Sequence, residues 1–146
     1  MTLSLVAADP VAGECGVAVM SSSPAVAARC AHVRPGVGAV ASQNVTDPRL
    51  GPLLLDRLAA GEDPATAVHA LVVAQPADVI AYRQLAAVDL AGRTALHSGA
   101  EALGVVGEHT GDAVVSAGNL LAAPDVPRRA AAGLAAAPGA LAERRL

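Results

Sequence analysis

The amino-acid sequence predicts an α+β fold in which antiparallel strands form groups and helices are bunched between and after them. Short Val, Leu and Ala runs come in pairs joined by turn residues, which is typical of β-hairpins. Two helical patterns follow one another in the middle of the chain, and an Ala-rich helical stretch follows the last apolar run. Grouping of this kind favours antiparallel sheets flanked by helices over alternating βαβ units.

The first hairpin is predicted from residues 3–8 and 15–21, which are apolar runs separated by DPVAGE. Asp, Pro and Gly stand in that segment where a turn requires them. The stretch SSSPAVAARCAHVRPG is rich in turn residues at both ends and has room for one helical turn. The following VGAVASQ is predicted to be a third strand.

Residues 47–74 predict two consecutive helices. Each begins with an Asp-Pro pair, has helical apolar spacing, and the first stops at a Gly. Asp47, directly before Pro48, is interpreted as an N-cap.

The second half of the chain predicts more strands and a last helix. RQLAAVDLAGRTALHSG places two apolar runs around a turn with Gly at the bend, which indicates a second hairpin. Two further apolar runs follow at about 103–107 and 113–117. A final Ala-rich helix is predicted from about 124 to the end of the chain.

Length and composition predict one domain over residues 1–146. A chain of this size buries roughly 70% of the surface that its unfolded form exposes. The apolar fraction is 53% and Tyr82 is the single aromatic residue, so the core must consist of Ala, Val and Leu. Such side chains require close approach of the backbones that carry them.

Charge and hydropathy exclude several kinds of partner. The chain has 10 Arg and no Lys against 13 acidic residues, and it lacks aromatic platforms for stacked bases, so no nucleic-acid partner is expected. No apolar run approaches the length of a membrane span, and no signal peptide is recognisable. We therefore expect a cytoplasmic protein without a membrane partner.

No metal or other cofactor is expected from the sequence. The four His residues are scattered without helical i, i+4 spacing, and neither Cys15 nor Cys30 has a CxxC partner. Both cysteines are interpreted as buried small residues. The segment GVGAV precedes a strand and not a helix, so it is not a phosphate-binding loop.

Thr2 is the candidate catalytic nucleophile. Removal of Met1 ahead of a small residue would leave Thr2 with both a hydroxyl and a free α-amine. An α-amine titrates near pH 7.7–8.0, so it can accept the hydroxyl proton near neutral pH. The alternative is that Thr2 is only a favourable first residue of a strand.

Five further polar residues are candidates for the same site. Asn119, in SAGNL, is predicted to donate a hydrogen bond to a developing oxyanion. Ser21 and Ser22 supply hydroxyls for substrate binding or proton transfer, or else form a turn or helix cap. Arg34 binds a substrate carboxylate or makes a surface ion pair. Asn44 is expected to face a pocket.

Four segments, in order, resemble one family. TLSLVAADP-x-x-GECGVAV, RPGVGAVASQNVTDPRLGPLLLDRLAAG, YRQLAAVDLAGRTALHSG and SAGNLLAAPDV are similar to the family of domain of unknown function 1028. That family resembles the N-terminal-nucleophile (Ntn) hydrolases, so the resemblance implies an Ntn-hydrolase-like αββα sandwich. Family members usually continue into further strand-forming sequence, whereas this chain stops at AERRL, which implies a sheet lacking C-terminal strands.

Two functions remain open at this point. The first is an Ntn-type hydrolase of a small cytosolic amide or peptide-like substrate, with Thr2 as nucleophile. The second is a catalytically silent domain of the same fold that binds a small molecule or assembles with other subunits. A homo-oligomer is expected under either, because incomplete sheets of small side chains leave edges and apolar faces to cover.

Overall fold

The computed structural model describes residues 1–144, which form two four-stranded antiparallel sheets with helices packed on them. The strands are β1 (Thr2–Asp9), β2 (Glu14–Ser21), β3 (Ala31–Arg34), β4 (Gly38–Asn44), β5 (Arg83–Asp89), β6 (Thr94–Ser98), β7 (Gly107–Gly111) and β8 (Val114–Asn119). The helices are α1 (Ala27–Cys30), α2 (Leu50–Ala59), α3 (Pro64–Val73), α4 (Ala77–Ile80) and α5 (Val126–Ala136), followed by a 3₁₀ turn at Leu141–Glu143.

The two sheets have simple antiparallel order. The first runs β2-β1-β8-β7 and the second runs β3-β4-β5-β6. The two middle strands of each sheet are mostly buried on both faces. The prediction of an α+β fold with antiparallel sheets is confirmed.

The order of the layers follows from the side chains on each face of the two sheets. Val6, Ala39, Ala86 and Val115 belong to one buried cluster, which lies between the two sheets. The small side chains of this cluster allow the sheets to approach closely, as the lack of aromatic residues requires. Within residues 1–144, no helix is both long and apolar enough to cross a bilayer.

Helices cover the outer face of each sheet. On the second sheet, α2 and α3 bury a cluster that includes Leu54 and Leu85. Gly51 lets α2 approach β3, because a Cβ atom at that position would collide with the ring of His32. On the first sheet, α5 packs on β1, β7 and β8 through Ala131 and Leu134. The molecule is therefore layered helix, sheet, sheet, helix.

Local signals explain most element boundaries. Both predicted hairpins are confirmed as β1–β2 and β5–β6. The N-cap of α3 is Asp63, whose carboxylate accepts a hydrogen bond from Thr66 N at 3.1 Å. The N-cap interpretation of Asp47 is wrong: α2 begins at Leu50, and the Asp47 carboxylate instead binds the backbone N of Arg49 at 3.0 Å.

Three other expectations need correction. VGAVASQ corresponds to β4 and not to a third strand, because the edge strand β3 precedes it. The apolar run at 103–107 is mainly a loop, and the strand there is the polar segment Gly107–Gly111. The last helix ends at Ala136, before Pro138 and Gly139, and so does not continue to the chain end.

Candidate functional site

Thr2 begins a central strand with a candidate partner on each side. In the first sheet it pairs with Ser21 of β2 and with Asn119 of β8. Side chains alternate along β1, so Thr2 is on the same face as Val6, which packs between the sheets. Thr2 therefore lies at one end of the layer between the two sheets, next to two of the predicted site residues.

Hydrogen bonds fix the direction of the Thr2 hydroxyl. Its Oγ1 lies 2.9 Å from Ser21 Oγ. The Ser21 hydroxyl donates its one proton to the Met1 carbonyl at 3.0 Å, and Ser21 Oγ also accepts from Ser23 N at 3.1 Å. Because Ser21 has no second proton to give, Thr2 must be the donor in the contact between the two hydroxyls.

Ser22 holds the residue that precedes the candidate nucleophile. The Met1 amine donates to Ser22 Oγ at 3.1 Å, and Ser22 N donates to the Met1 carbonyl at 3.1 Å. Ser21 and Ser22 thus surround the Met1–Thr2 peptide bond. The structure brings these two predicted residues together with Thr2.

On the other side of Thr2, Asn119 is part of a buried amide network. Asn119 is 2% exposed, and its Nδ2 donates to Gln84 Oε1 at 2.9 Å. Gln84 Oε1 also accepts from Gln43 Nε2 at 3.0 Å. A side-chain amide carries two N–H groups. Among the residues that the structure describes, Gln84 is the one acceptor of Asn119 Nδ2, so one N–H remains for a further acceptor.

The network joins the two sheets. Gln84 Nε2 donates to Ser98 Oγ at 2.8 Å and to the Gly118 carbonyl at 3.2 Å, and Gln43 Nε2 donates to the Ala117 carbonyl at 3.0 Å. Strands β4, β5 and β6 of the second sheet are thereby tied to β8 of the first. The sequence alone did not place Gln84 or Gln43 in the site, since their proximity to Asn119 depends on the packing of the sheets.

Backbone strain marks the same end of the molecule. Leu120, directly after Asn119, has φ 51°, and Asn44, directly after Gln43, has φ 75°. Non-glycine residues in this region cost roughly 1–2 kcal/mol. The strands that carry Gln43 and Asn119 therefore each end in a sharp, strained change of direction.

Arg34 and Asn44 are engaged in other contacts. Arg34 forms an ion pair with Asp56 at 2.7 Å and also donates to the Leu55 carbonyl. It pairs with Gly38 at the far end of β4 from Gln43, so it lies away from Thr2. The Asn44 amide donates to the Tyr82 carbonyl at 2.6 Å. For Arg34, the observed arrangement is the ion pair that the sequence left as an alternative.

The Asp47 carboxylate supports the loop that leaves β4. Hydrogen bonds from the Arg49 side chain, assisted by its backbone N–H, lower the pKa of Asp47 to about 2. The shortest joins Arg49 Nη2 and Asp47 Oδ2 at 2.6 Å. The folded state therefore stabilises the charged form of Asp47 more than the unfolded state does.

We expect Asp47→Asn to lower the free energy of unfolding at pH 7 by about 1 kcal/mol, a value reduced by solvent screening of the exposed Arg49. A depressed pKa stabilises the fold above the unfolded value, near 4, and this contribution is lost as pH falls through about 2. Urea titrations between pH 7 and pH 2 measure the difference. Asp112→Asn, in the exposed β7–β8 turn, is the control. A loss that stays constant to pH 2 would contradict this account.

Residues 1–144 contain no group of three or more His, Cys, Asp or Glu side chains placed to hold a metal ion. The groups around Thr2 are hydroxyls and amides. They can direct a hydroxyl proton and donate hydrogen bonds to an oxygen that gains negative charge.

Comparisons with known proteins agree on one family. The model described as "Family of unknown function (DUF1028)" matches residues 2–146. The crystal structure of protein SPO2555 from Silicibacter pomeroyi, also assigned to DUF1028, is similar with a TM-score of 0.91 and 29% identity. The match covers 98% of this chain and 65% of that one, so the chain spans less than two thirds of that relative. Among curated proteins, no relative matches the chain.

Proposed function

This chain belongs to the family of unknown function DUF1028, and from that premise we propose that it is an Ntn-type hydrolase of a small cytosolic amide or peptide-like substrate. The helix, sheet, sheet, helix layering supports an Ntn-hydrolase-like αββα sandwich. The observation that carries the proposal is the surroundings of Thr2. Its hydroxyl is 2.9 Å from Ser21 Oγ, and its cross-strand partner Asn119 has an N–H to spare.

Removal of Met1 would create both the nucleophile and its base. The freed α-amine of Thr2 titrates near neutral pH, so a fraction of it is unprotonated at pH 7 and can accept the hydroxyl proton. Thr2 begins a central strand paired on both sides. The backbone that carries the nucleophile is therefore held rigidly before substrate binds.

Removal of Met1 would also reverse the hydrogen bond between Thr2 and Ser21. With Met1 present, the Ser21 proton is given to the Met1 carbonyl, and Thr2 directs its own proton to Ser21. Without that carbonyl, the Ser21 hydroxyl is free to donate to Thr2 Oγ1. A donated hydrogen bond stabilises negative charge on Oγ1 as its proton moves to the amine. Ser22, which loses its Met1 contacts, is then available to bind substrate.

The reaction proceeds in two balanced halves. Thr2 Oγ1 bonds to the substrate carbonyl carbon while the Thr2 amine takes the hydroxyl proton, and the remaining Asn119 N–H donates to the oxyanion. The carbon–nitrogen bond then breaks, and the leaving amine takes that proton. Water attacks the resulting Thr2 ester, which releases a carboxylic acid and restores the hydroxyl.

The first test is the intact mass of the protein expressed in its native reading frame. We expect a mass smaller by one methionine, because the residue behind Met1 is small. Thr2→Leu is the matched control, since a bulky second residue blocks methionine removal. A wild-type protein that keeps Met1 would leave Thr2 without its base. That outcome would contradict the hydrolase and favour a catalytically silent binding domain.

A further inference from the structure

An apolar cleft lies at the other end of the first hairpin from Thr2. This hairpin cleft has a volume of about 570 Å³. Its apolar walls come from β1, β2, β3, α5 and the C-terminal 3₁₀ turn, and include Leu5, Ala7, Val17, Val33, Leu134 and Leu141. Clefts of this size and lining are typical of sites for small molecules.

The hairpin cleft is separate from the candidate catalytic residues. Cys15, in its wall, pairs with Ala8, which is six residues along β1 from Thr2. At roughly 3.3 Å per residue, this places Cys15 about 20 Å from Thr2. The cleft residue of β1 nearest to Thr2 is Leu5, which is three residues or about 10 Å away with its side chain on the opposite face of the sheet, so a ligand in the hairpin cleft would not touch the proposed nucleophile.

Charged groups at the hairpin cleft already have partners in the protein. Glu14 Oε2 accepts a hydrogen bond from Leu141 N at 3.2 Å. Arg144 Nε donates to the Gly139 carbonyl at 3.1 Å, and its Nη2 lies 3.8 Å from Asp9 Oδ2. Burial raises the pKa of the Cys15 thiol, so the thiol is neutral at pH 7. A charged ligand would have to displace these contacts, whereas an uncharged one leaves them intact.

We propose that the hairpin cleft binds a small, uncharged, apolar molecule. Its contacts would be with the aliphatic walls, and its affinity would come from removing apolar surface from water. Gly16 is a position at which a larger side chain can be placed in this space. It lines the hairpin cleft, and a Cβ atom there would meet no other atom within 4 Å.

Two matched glycine variants test the proposal with N-phenyl-1-naphthylamine, a neutral apolar dye that fluoresces in apolar surroundings. Background is low because the chain has no Trp and a single Tyr. Gly16→Leu places its side chain in the hairpin cleft and is expected to weaken dye binding at least about tenfold. Gly133→Leu is the control: it also has open space at Cβ but is not part of the wall of the hairpin cleft, and it lines the adjoining groove beside Leu3 and Met20, which shares Leu5 and Ala18 with the cleft. It is expected to bind dye like the wild type.

The Cys15 thiol gives a second, independent readout. Saturating dye is expected to slow its reaction with a thiol reagent in a Cys30→Ser background, where Cys15 is the single cysteine.

Thr2→Ala should leave both readouts unchanged, so failure of the hydrolase proposal is distinguishable from failure of this one. No dye binding, equal binding to Gly16→Leu, or binding that falls as protein concentration rises would overturn the proposal. The last result would assign the hairpin cleft to a second copy of the chain.

Discussion

Thr2→Ala is expected to reduce amide hydrolysis by at least about a thousandfold, because it removes the bond-forming oxygen and leaves the α-amine with no proton to accept. Thr2→Ser keeps both the hydroxyl and the amine, so we expect a loss of less than about tenfold. The measurement is a screen of fluorogenic aminoacyl amides with the wild type, followed by kinetics of all three proteins on the best substrate. Each protein must first be shown by mass to lack Met1.

Stability controls separate catalysis from folding. Thr2 is only half-buried, so replacing it should change the free energy of unfolding by less than about 1 kcal/mol. Thr110→Ala, on the edge strand β7, removes the same side chain from an exposed strand position and should leave activity unchanged. Equal activity of wild type and Thr2→Ala, with Met1 removed from both, would contradict the assignment of Thr2 as nucleophile.

Ser21 offers a finer check on the reversal of its hydrogen bond. In the proposed form without Met1, Ser21 donates to Thr2 Oγ1 and so lowers the barrier to loss of the Thr2 proton. Activity should then depend on this hydroxyl even though Ser21 contributes no atom to the substrate bond. This role is available only because the hairpin register places Ser21 directly opposite Thr2.

The elements that could be predicted from sequence are those with strong local signals. Two apolar runs around an Asp, Pro and Gly turn predicted the first hairpin, and the structure adds the register that pairs Thr2 with Ser21. Asp63 before Pro64 similarly predicted the start of α3. The edge strands β3 and β7 were harder to recognise, because a strand exposed on one side does not need an unbroken apolar run. Leu103 and Val105, which suggested a strand, are exposed instead.

The amide network could not be predicted by the same means. Gln43 and Gln84 are neighbours because β4 pairs with β5, and both reach Asn119 or its strand only because the two sheets pack face to face. No local pattern encodes contacts between residues so distant in sequence. Asn119 was expected to follow a strand and is the last residue of β8, so its position in an element could be predicted although its partners could not.

Gln84→Leu is expected to lower the free energy of unfolding by about 4 kcal/mol. Gln84 is fully buried and its amide takes part in four hydrogen bonds. Leucine has a similar size but leaves the Asn119 Nδ2 and the Gly118 carbonyl without these partners, and each orphaned buried group costs about 1–3 kcal/mol. Urea denaturation followed by circular dichroism measures the loss.

A double-mutant cycle with Gln43→Leu tests whether these amides act as a unit. If they do, the second substitution should cost less than the first, because its partner is already lost. Gln75→Leu, at a partly exposed position after α3, is the control and should change stability by less than about 0.5 kcal/mol. Additive losses from Gln43→Leu and Gln84→Leu would show that the two side chains contribute separately. Asn119 would then be oriented by its own strand and not by the network, and its remaining N–H would have to be positioned for the oxyanion by the turn at Leu120.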